Sequence, residues 1–173
     1  MTPLTFDNKG HLVMSPAPES SSRDFDFLTG SWEIRNRKLA SRLSGSTQWN
    51  EFEATGTCNG ILLGIGNIDD FVTTIEDKPF EGMTMRLFNP KTKLWSIYWA
   101  DSNNGTLDKP VVGSFSNATG YFYNEDVFNG KEIIVVFEWD KSDTDNPVWR
   151  QAFSIDKGRT WEWNWYMYFK RKK

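Results

Sequence analysis

From residue 30 onward, apolar and polar positions alternate with a period of two in short runs rich in Val, Ile, Trp, Tyr and Phe, broken by Gly, Asn, Asp and Pro. Such alternation puts successive side chains on opposite faces of an extended segment and predicts a meandering antiparallel sheet. Strands are expected at about 31–39, 47–57, 60–67, 70–75, 82–89, 93–101, 111–116, 119–127, 131–139, 147–154 and 160–170, with 60–75 readable as one bent strand. Three turns join neighbouring pairs: Asn89-Pro90-Lys91-Thr92, the type I′ signal Asn129-Gly130, and Asp156-Lys157-Gly158. No stretch holds a helical period over ten residues, so parallel βαβ architectures are disfavoured.

The two faces of the strands decide between a sandwich and a barrel. In 93–101 one face carries Trp95, Ile97 and Trp99 and the other Ser96, Tyr98 and Ala100. In 160–170 one carries Trp161, Trp163, Trp165, Met167 and Phe169 and the other Glu162, Asn164, Tyr166 and Tyr168. Bulky rings opposite mixed polar and aromatic residues suit a barrel enclosing a cavity, because a solid sandwich core favours aliphatic side chains throughout. The expected architecture is all-β, an up-and-down antiparallel barrel of about ten strands. Residues 1–22, rich in Pro, Ser and small polar groups, form an arm, and 23–173 form the single barrel domain. Asp24-Phe25-Asp26-Phe27-Leu28 is expected to make one short helical turn that plugs a barrel end with Phe25 and Leu28.

Composition narrows the function classes. The chain has 173 residues, enough for one domain with a core that needs no disulfide, and it carries a single cysteine, Cys58. Thirteen Phe, nine Trp and five Tyr make the aromatic share 16%. Twenty basic against 23 acidic residues leave a formal charge of −3, which argues against a nucleic-acid partner. There is no signal-peptide pattern over Met1 to Gly10 and no long apolar run, so a cytoplasmic protein without a membrane partner is expected. The glycosylation-like triplets at Asn104 and Asn117 then read as ordinary turns.

Two motifs stand out. Ser154-Ile155-Asp156-Lys157-Gly158-Arg159-Thr160-Trp161 resembles the Asp-box of sialidase-type propellers, but a single copy in a chain of this length reads as a hairpin-building device and not as a glycosidase. Gly30-Ser31-Trp32 at the first barrel strand and Arg171 at the end of the last resemble the Gly-x-Trp and terminal basic residue of the calycin superfamily. That resemblance is joined by Gly82-Met83-Thr84-Met85-Arg86-Leu87-Phe88-Asn89-Pro90, Leu94-Trp95-Ser96-Ile97-Tyr98-Trp99-Ala100, Pro110-Val111-Val112-Gly113 and Gln151-Ala152-Phe153-Ser154. Together, from about Phe25 to Arg171, the chain resembles an uncharacterised, mostly bacterial family of lipocalin-like β-barrel proteins. The resemblance implies a fold, and it implies that Arg171 lies over Trp32 and closes one end.

The remaining chemistry is confined to the barrel. The only histidine, His11, lies in the arm and Cys58 has no second thiol, so no metal and no cofactor are expected, which sets the chain apart from haem-binding nitrobindin-type barrels. The acidic loop Asp140 to Asn146 lacks the glycine and closing Glu of a calcium loop. Arg86 lies mid-strand between Met85 and Leu87. It is expected either to anchor a ligand acid group from the cavity wall or to pair internally with Glu51, Glu53 or Asp101. Tyr98, Gln151 and Asn164 are polar candidates for the same cavity, and Trp32, Trp99, Trp163 and Trp165 are candidate walls, subject to any β-bulge that inverts the face.

The expected function is binding of a small apolar or amphipathic ligand through Arg86, Tyr98, Trp99, Gln151, Trp163 and Trp165. The alternative is a cofactor-independent lyase or isomerase acting on a small carboxylate-bearing substrate through Tyr98, Arg86 and Glu51, an arrangement similar to phenolic acid decarboxylase barrels. A homodimer is the expected protein partner if sheet edges stay open.

Overall fold

The computed structural model describes residues 4–75 and 77–173; the first three residues of the expected arm lie outside them. The strands are β1 (Thr5–Phe6), β2 (Leu12–Val13), β3 (Gly30–Leu39), β4 (Trp49–Ile61), β5 (Gly66–Ile75), β6 (Lys78–Asn89), β7 (Leu94–Asp101), β8 (Val111–Ser116), β9 (Thr119–Phe128), β10 (Lys131–Asp140), β11 (Val148–Ser154) and β12 (Glu162–Arg171). Strands β3 to β12 form a closed antiparallel barrel in which every strand pairs with its sequence neighbours and β12 returns to β3. Two 3-10 turns, Asp26–Leu28 and Leu62–Gly64, are the helical pieces among the described residues. Closure pairs each barrel strand on both sides, but β7 meets β8 only over Trp95–Ile97, so the open-edge argument for a dimer is confined to the remaining lengths of β7 and β9.

The barrel strands follow the alternation, with three differences: β6 begins at Lys78 and not at 82, the arm carries the β1–β2 hairpin, and 60–75 is not one bent strand. Gly60 lies inside β4, and the chain reverses at Leu62, Leu63 and Gly64, which hold φ of 51°, 56° and 91°. Left-handed leucines carry no turn signature, so the break was expected too early. At Asn129-Gly130 both residues have positive φ, 50° and 77°, as a type I′ hairpin requires.

One end of the barrel is sealed. The arm runs over the outer wall, where the β1–β2 hairpin sets Leu4, Phe6, Leu12 and Met14 against Tyr123, Ile134, Val136 and Ala152. It then enters the barrel end as the Asp26–Leu28 turn. Phe25 and Leu28 are each 1% exposed there, and Phe25 meets Trp95 and Phe115 edge-on at ring distances of 4.9 and 5.0 Å. Trp32 Nε1 donates to the Leu28 carbonyl at 2.7 Å, and the Arg171 guanidinium lies 4.3 Å from the Trp32 ring centroid. The same guanidinium donates to the carbonyls of Phe27, Thr29 and Thr144 and to Asp145. One cation thus ties the plug to the last strand.

The Asp-box-like segment is a hairpin clamp at the other end. Ser154 Oγ donates to Asp156 and accepts the Gly158 amide, while the Asp156 carboxylate accepts the Thr160 amide at 2.9 Å and its hydroxyl at 2.6 Å. These donors hold the Asp156 carboxyl down at about 2. Because the folded form keeps its charge below the ordinary carboxyl range near 3.8, its contribution is complete above that value and lost as pH falls through about 2. Thermal unfolding followed from pH 5 down to about pH 2 therefore shows a smaller acid-induced loss in Asp156→Asn than in the wild type. Equal losses in the two proteins would refute the clamp.

Candidate functional site

Alternation along each strand decides which residues meet inside. Strand β3 turns Trp32, Ile34, Asn36 and Lys38 inward, β6 turns Phe80, Gly82, Thr84, Arg86 and Phe88 inward, and β7 turns Trp95, Ile97 and Trp99 inward. Above the plug these faces enclose a cavity of about 520 Å³, within the range of roughly 300–1,000 Å³ for small-molecule sites. Its walls are largely aromatic: Phe71, Trp99, Phe137, Trp149, Trp165 and Phe169. Trp149 meets Trp165 edge-to-face at 5.5 Å and Phe137 at 4.9 Å, geometry that holds the rings in place. Trp99 lies flat over Gly82, where a Cβ would fall 2.1 Å from the indole.

The floor is polar. Arg86, 3% exposed, donates to Asp69 Oδ2 at 2.5 Å and to Asn67 Oδ1 at 3.0 Å, and its guanidinium sits 5.3 Å from the Phe25 ring of the plug and 5.6 Å from Trp139. Its internal partner is Asp69, not Glu51, Glu53 or Asp101. Glu51 and Glu53 point to solvent from the outer face of β4, and Asp101 accepts the Trp99 Nε1 hydrogen at the mouth at 3.2 Å. Arg86 Nε and Trp139 Nε1 are buried donors without a partner at this floor, as is Asn164 Nδ2 farther along β12 beside Gln151. Each calls for an acceptor oxygen from water or a ligand.

The mouth holds the titratable groups. Lys38 reaches in from β3, with Nζ 3.9 Å from the Trp165 ring centroid. Burial, reinforced by the nearby Arg42 charge and only partly offset by Asp101, pushes its ammonium down to about 8. Across the opening, burial and the charges of Asp101 and Asp126 raise the Asp108 carboxyl. Arg42 covers the rings of Phe128 and Phe153 from the β3–β4 loop, and the Leu43 amide of that loop donates to both Glu162 carboxylate oxygens at 2.8 and 2.9 Å. A smaller cavity of about 190 Å³ continues beneath the β7–β8 pairing and shares Trp99, Asp108 and Gln151 with the first. Cys58 also lines the main cavity, but burial holds its thiol up at about 11, where it stays neutral and unreactive.

Of the residues expected to bind ligand, Arg86, Trp99, Gln151 and Trp165 line the cavity, and Asn164 holds Gln151 through a 2.8 Å hydrogen bond. Tyr98 and Trp163 do not. Tyr98 takes the outward position of β7 between Ile97 and Trp99 and pairs with Met85. Trp163 is reversed by a β-bulge: Gln151 pairs with Trp165 but Ala152 with Trp163, so the inward run of Phe169, Met167 and Trp165 ends there. Trp163 faces the outer wall beneath the arm, 5.1 Å from the Arg150 guanidinium. Tyr98, Arg86 and Glu51 are therefore not assembled as a catalytic set, since two of them face outward. Sequence reasoning missed Lys38, Asp69, Arg42 and Asp108. Only Lys38 carried a signal, as the fourth member of the Trp32, Ile34, Asn36 series at the spacing that faces the interior. Among the described residues, no group of three His, Cys, Asp or Glu side chains is placed to hold a metal ion.

Neither a protein-family model nor a curated protein matches the chain. Among solved structures it is similar to the crystal structure of Rv2717c from M. tuberculosis, with a TM-score of 0.56 and 12% identity, covering 92% of this chain and all of that one. At that identity the likeness shows a shared barrel fold.

Proposed function

We propose that the protein is a lipocalin-like carrier or sensor that binds a small amphipathic ligand in the barrel cavity. The observation that carries this reading is a 520 Å³ aromatic chamber with a polar floor at one end and charged residues at its mouth. The apolar body of the ligand lies among Phe71, Trp99, Phe137 and Trp165. An oxygen-bearing group then meets the unpartnered donors near Arg86 or the Lys38 and Arg42 cations. A cytoplasmic setting, with its free thiol at Cys58, belongs to the same proposal.

Native mass spectrometry of protein purified from its own cells is expected to reveal a co-purifying small molecule. Titrating that molecule into stripped protein should then quench tryptophan fluorescence. In Gly82→Ala the new Cβ drives Trp99 into the chamber, so the affinity falls by about tenfold or more while the barrel stays folded. An adduct-free protein whose fluorescence responds to no amphipathic probe would end this reading.

A second reading, a cofactor-independent lyase or isomerase acting on a small carboxylate-bearing substrate, draws on the mouth. There the Lys38 ammonium is pushed down and the Asp108 carboxyl pushed up, so each is shifted toward proton exchange near neutral pH. Turnover lost in both Lys38→Met and Asp108→Asn would support it.

A further inference from the structure

We infer that Lys38 is a covalent capture site, forming an imine with an aldehyde or ketone ligand held in the aromatic chamber. The inference rests on the ligand-binding reading and specifies the chemical class of the ligand. Three features of the geometry carry it. Lys38 stands on the inner face of β3 at the mouth, its stem half-buried and its Nζ directed over the Trp165 ring 3.9 Å away. Among the described residues it forms no ion pair, whereas Arg86 is paired with Asp69 and Arg171 with Asp145. The space in front of it is bounded by flat rings, which fit a conjugated carbonyl compound.

The charged groups facing this amine are few and differ in effect. Arg42, from the β3–β4 loop, favours the neutral amine, as does burial, while Asp101, from the end of β7, favours the ammonium. The Trp165 ring also favours the cation. Burial and Arg42 prevail, leaving the group at about 8. Roughly a tenth of Lys38 is then a free amine at neutral pH, against well under a thousandth of an ordinary lysine.

The chemistry balances without a co-reactant. The Nζ lone pair adds to the carbonyl carbon, the C=O π pair moves to oxygen, and proton transfer gives a neutral carbinolamine. Solvent at the open mouth protonates the departing hydroxyl. Water leaves as the nitrogen gives up its remaining proton and the C=N bond forms. The overall change is amine plus carbonyl to imine plus water, and hydrolysis reverses it.

The test uses the intact protein, cinnamaldehyde as the aldehyde probe and cyanoborohydride to reduce any imine to a stable secondary amine. Peptide mapping is expected to place the adduct on Lys38 at least about tenfold above any surface lysine near neutral pH. The labelling rate should rise with an inflection near pH 8, and Lys38→Arg, which keeps the charge but removes the amine nucleophile, should abolish the adduct. Label spread evenly over the lysines, or retained at the wild-type level in Lys38→Arg, overturns the inference. Cinnamyl alcohol separates the two levels of the argument. If the alcohol quenches tryptophan fluorescence but the aldehyde is not trapped on Lys38, the imine falls and the binding reading stands. If neither compound is held, both fall.

Discussion

Replacing Arg86 with methionine is expected to lower the unfolding temperature by about 10 °C or more, the largest loss from any single side chain at the site. Arg86 and Asp69 have side chains only 4% and 15% exposed, and the pair is one of the few places where the barrel carries charge far from water. Removing one partner strands the other carboxylate in the interior at a cost of about 3–5 kcal/mol, a large part of the roughly 5–15 kcal/mol that holds a domain folded. The same guanidinium touches Phe25, so the plug loses a contact as well. The double variant Arg86→Met with Asp69→Leu removes both charges and fills the space with apolar volume. Urea and thermal unfolding should show it recovering most of the loss. If the double variant is no better than the single, the damage comes from packing and not from an orphaned charge, and the ion pair is not what the floor depends on.

Lys38→Met is expected to act in the opposite direction, raising stability at neutral pH by about 3 kcal/mol, less whatever the Trp165 cation–π contact returns. In the unfolded chain this lysine keeps its proton up to the ordinary range near 10.5, whereas the fold lets it go near 8. Below about pH 8 the barrel must hold a charge that burial disfavours. Between those two values the unfolded state binds more protons, so raising the pH favours folding. The Cys58 thiol, held up at about 11, acts on both proteins alike, so the gap between Lys38→Met and wild type should stay constant up to about pH 8, narrow above it and close near pH 10.5. Chemical unfolding at several pH values measures both curves. A variant no more stable than wild type at neutral pH would show that Trp165 and Asp101 fully compensate the buried ammonium. A gain in stability coupled to loss of aldehyde capture is the trade expected of a functional group placed against the preference of its surroundings.

Much of the barrel could be read from alternation because inward and outward positions differ in size and polarity along most strands. Trp95, Ile97 and Trp99 against Ser96, Tyr98 and Ala100 is a clear case, and Asn129-Gly130 marked its hairpin by a dipeptide suited to two left-handed residues. The failures have local causes. Leu62 and Leu63 take left-handed backbone with side chains that announce nothing of the kind, and Leu63 stands fully exposed at the tip. Trp163 and Trp165 share a face by simple counting, but the extra residue opposite the Gln151/Ala152 step puts one outside and the other inside. Asp69 and Asp108 look like ordinary surface acids in sequence. Only the closing of the sheet brings Asp69 beside Arg86 and Asp108 to the mouth.

The return of β12 to β3 has a consequence for how the chain reaches this state. Every other barrel pairing joins strands adjacent in sequence, and those hairpins can form as soon as each is made. The pairing of Trp32 with Arg171 joins segments that are far apart, so the entropy of closing nearly the whole chain must be met at that one seam. During synthesis the open sheet waits with two unpaired margins until its final strand is released. Stages that precede closure are thus the ones most exposed to pairing with other chains, and arrival of Arg171 at the Phe27 and Thr29 carbonyls marks the end of that vulnerable interval.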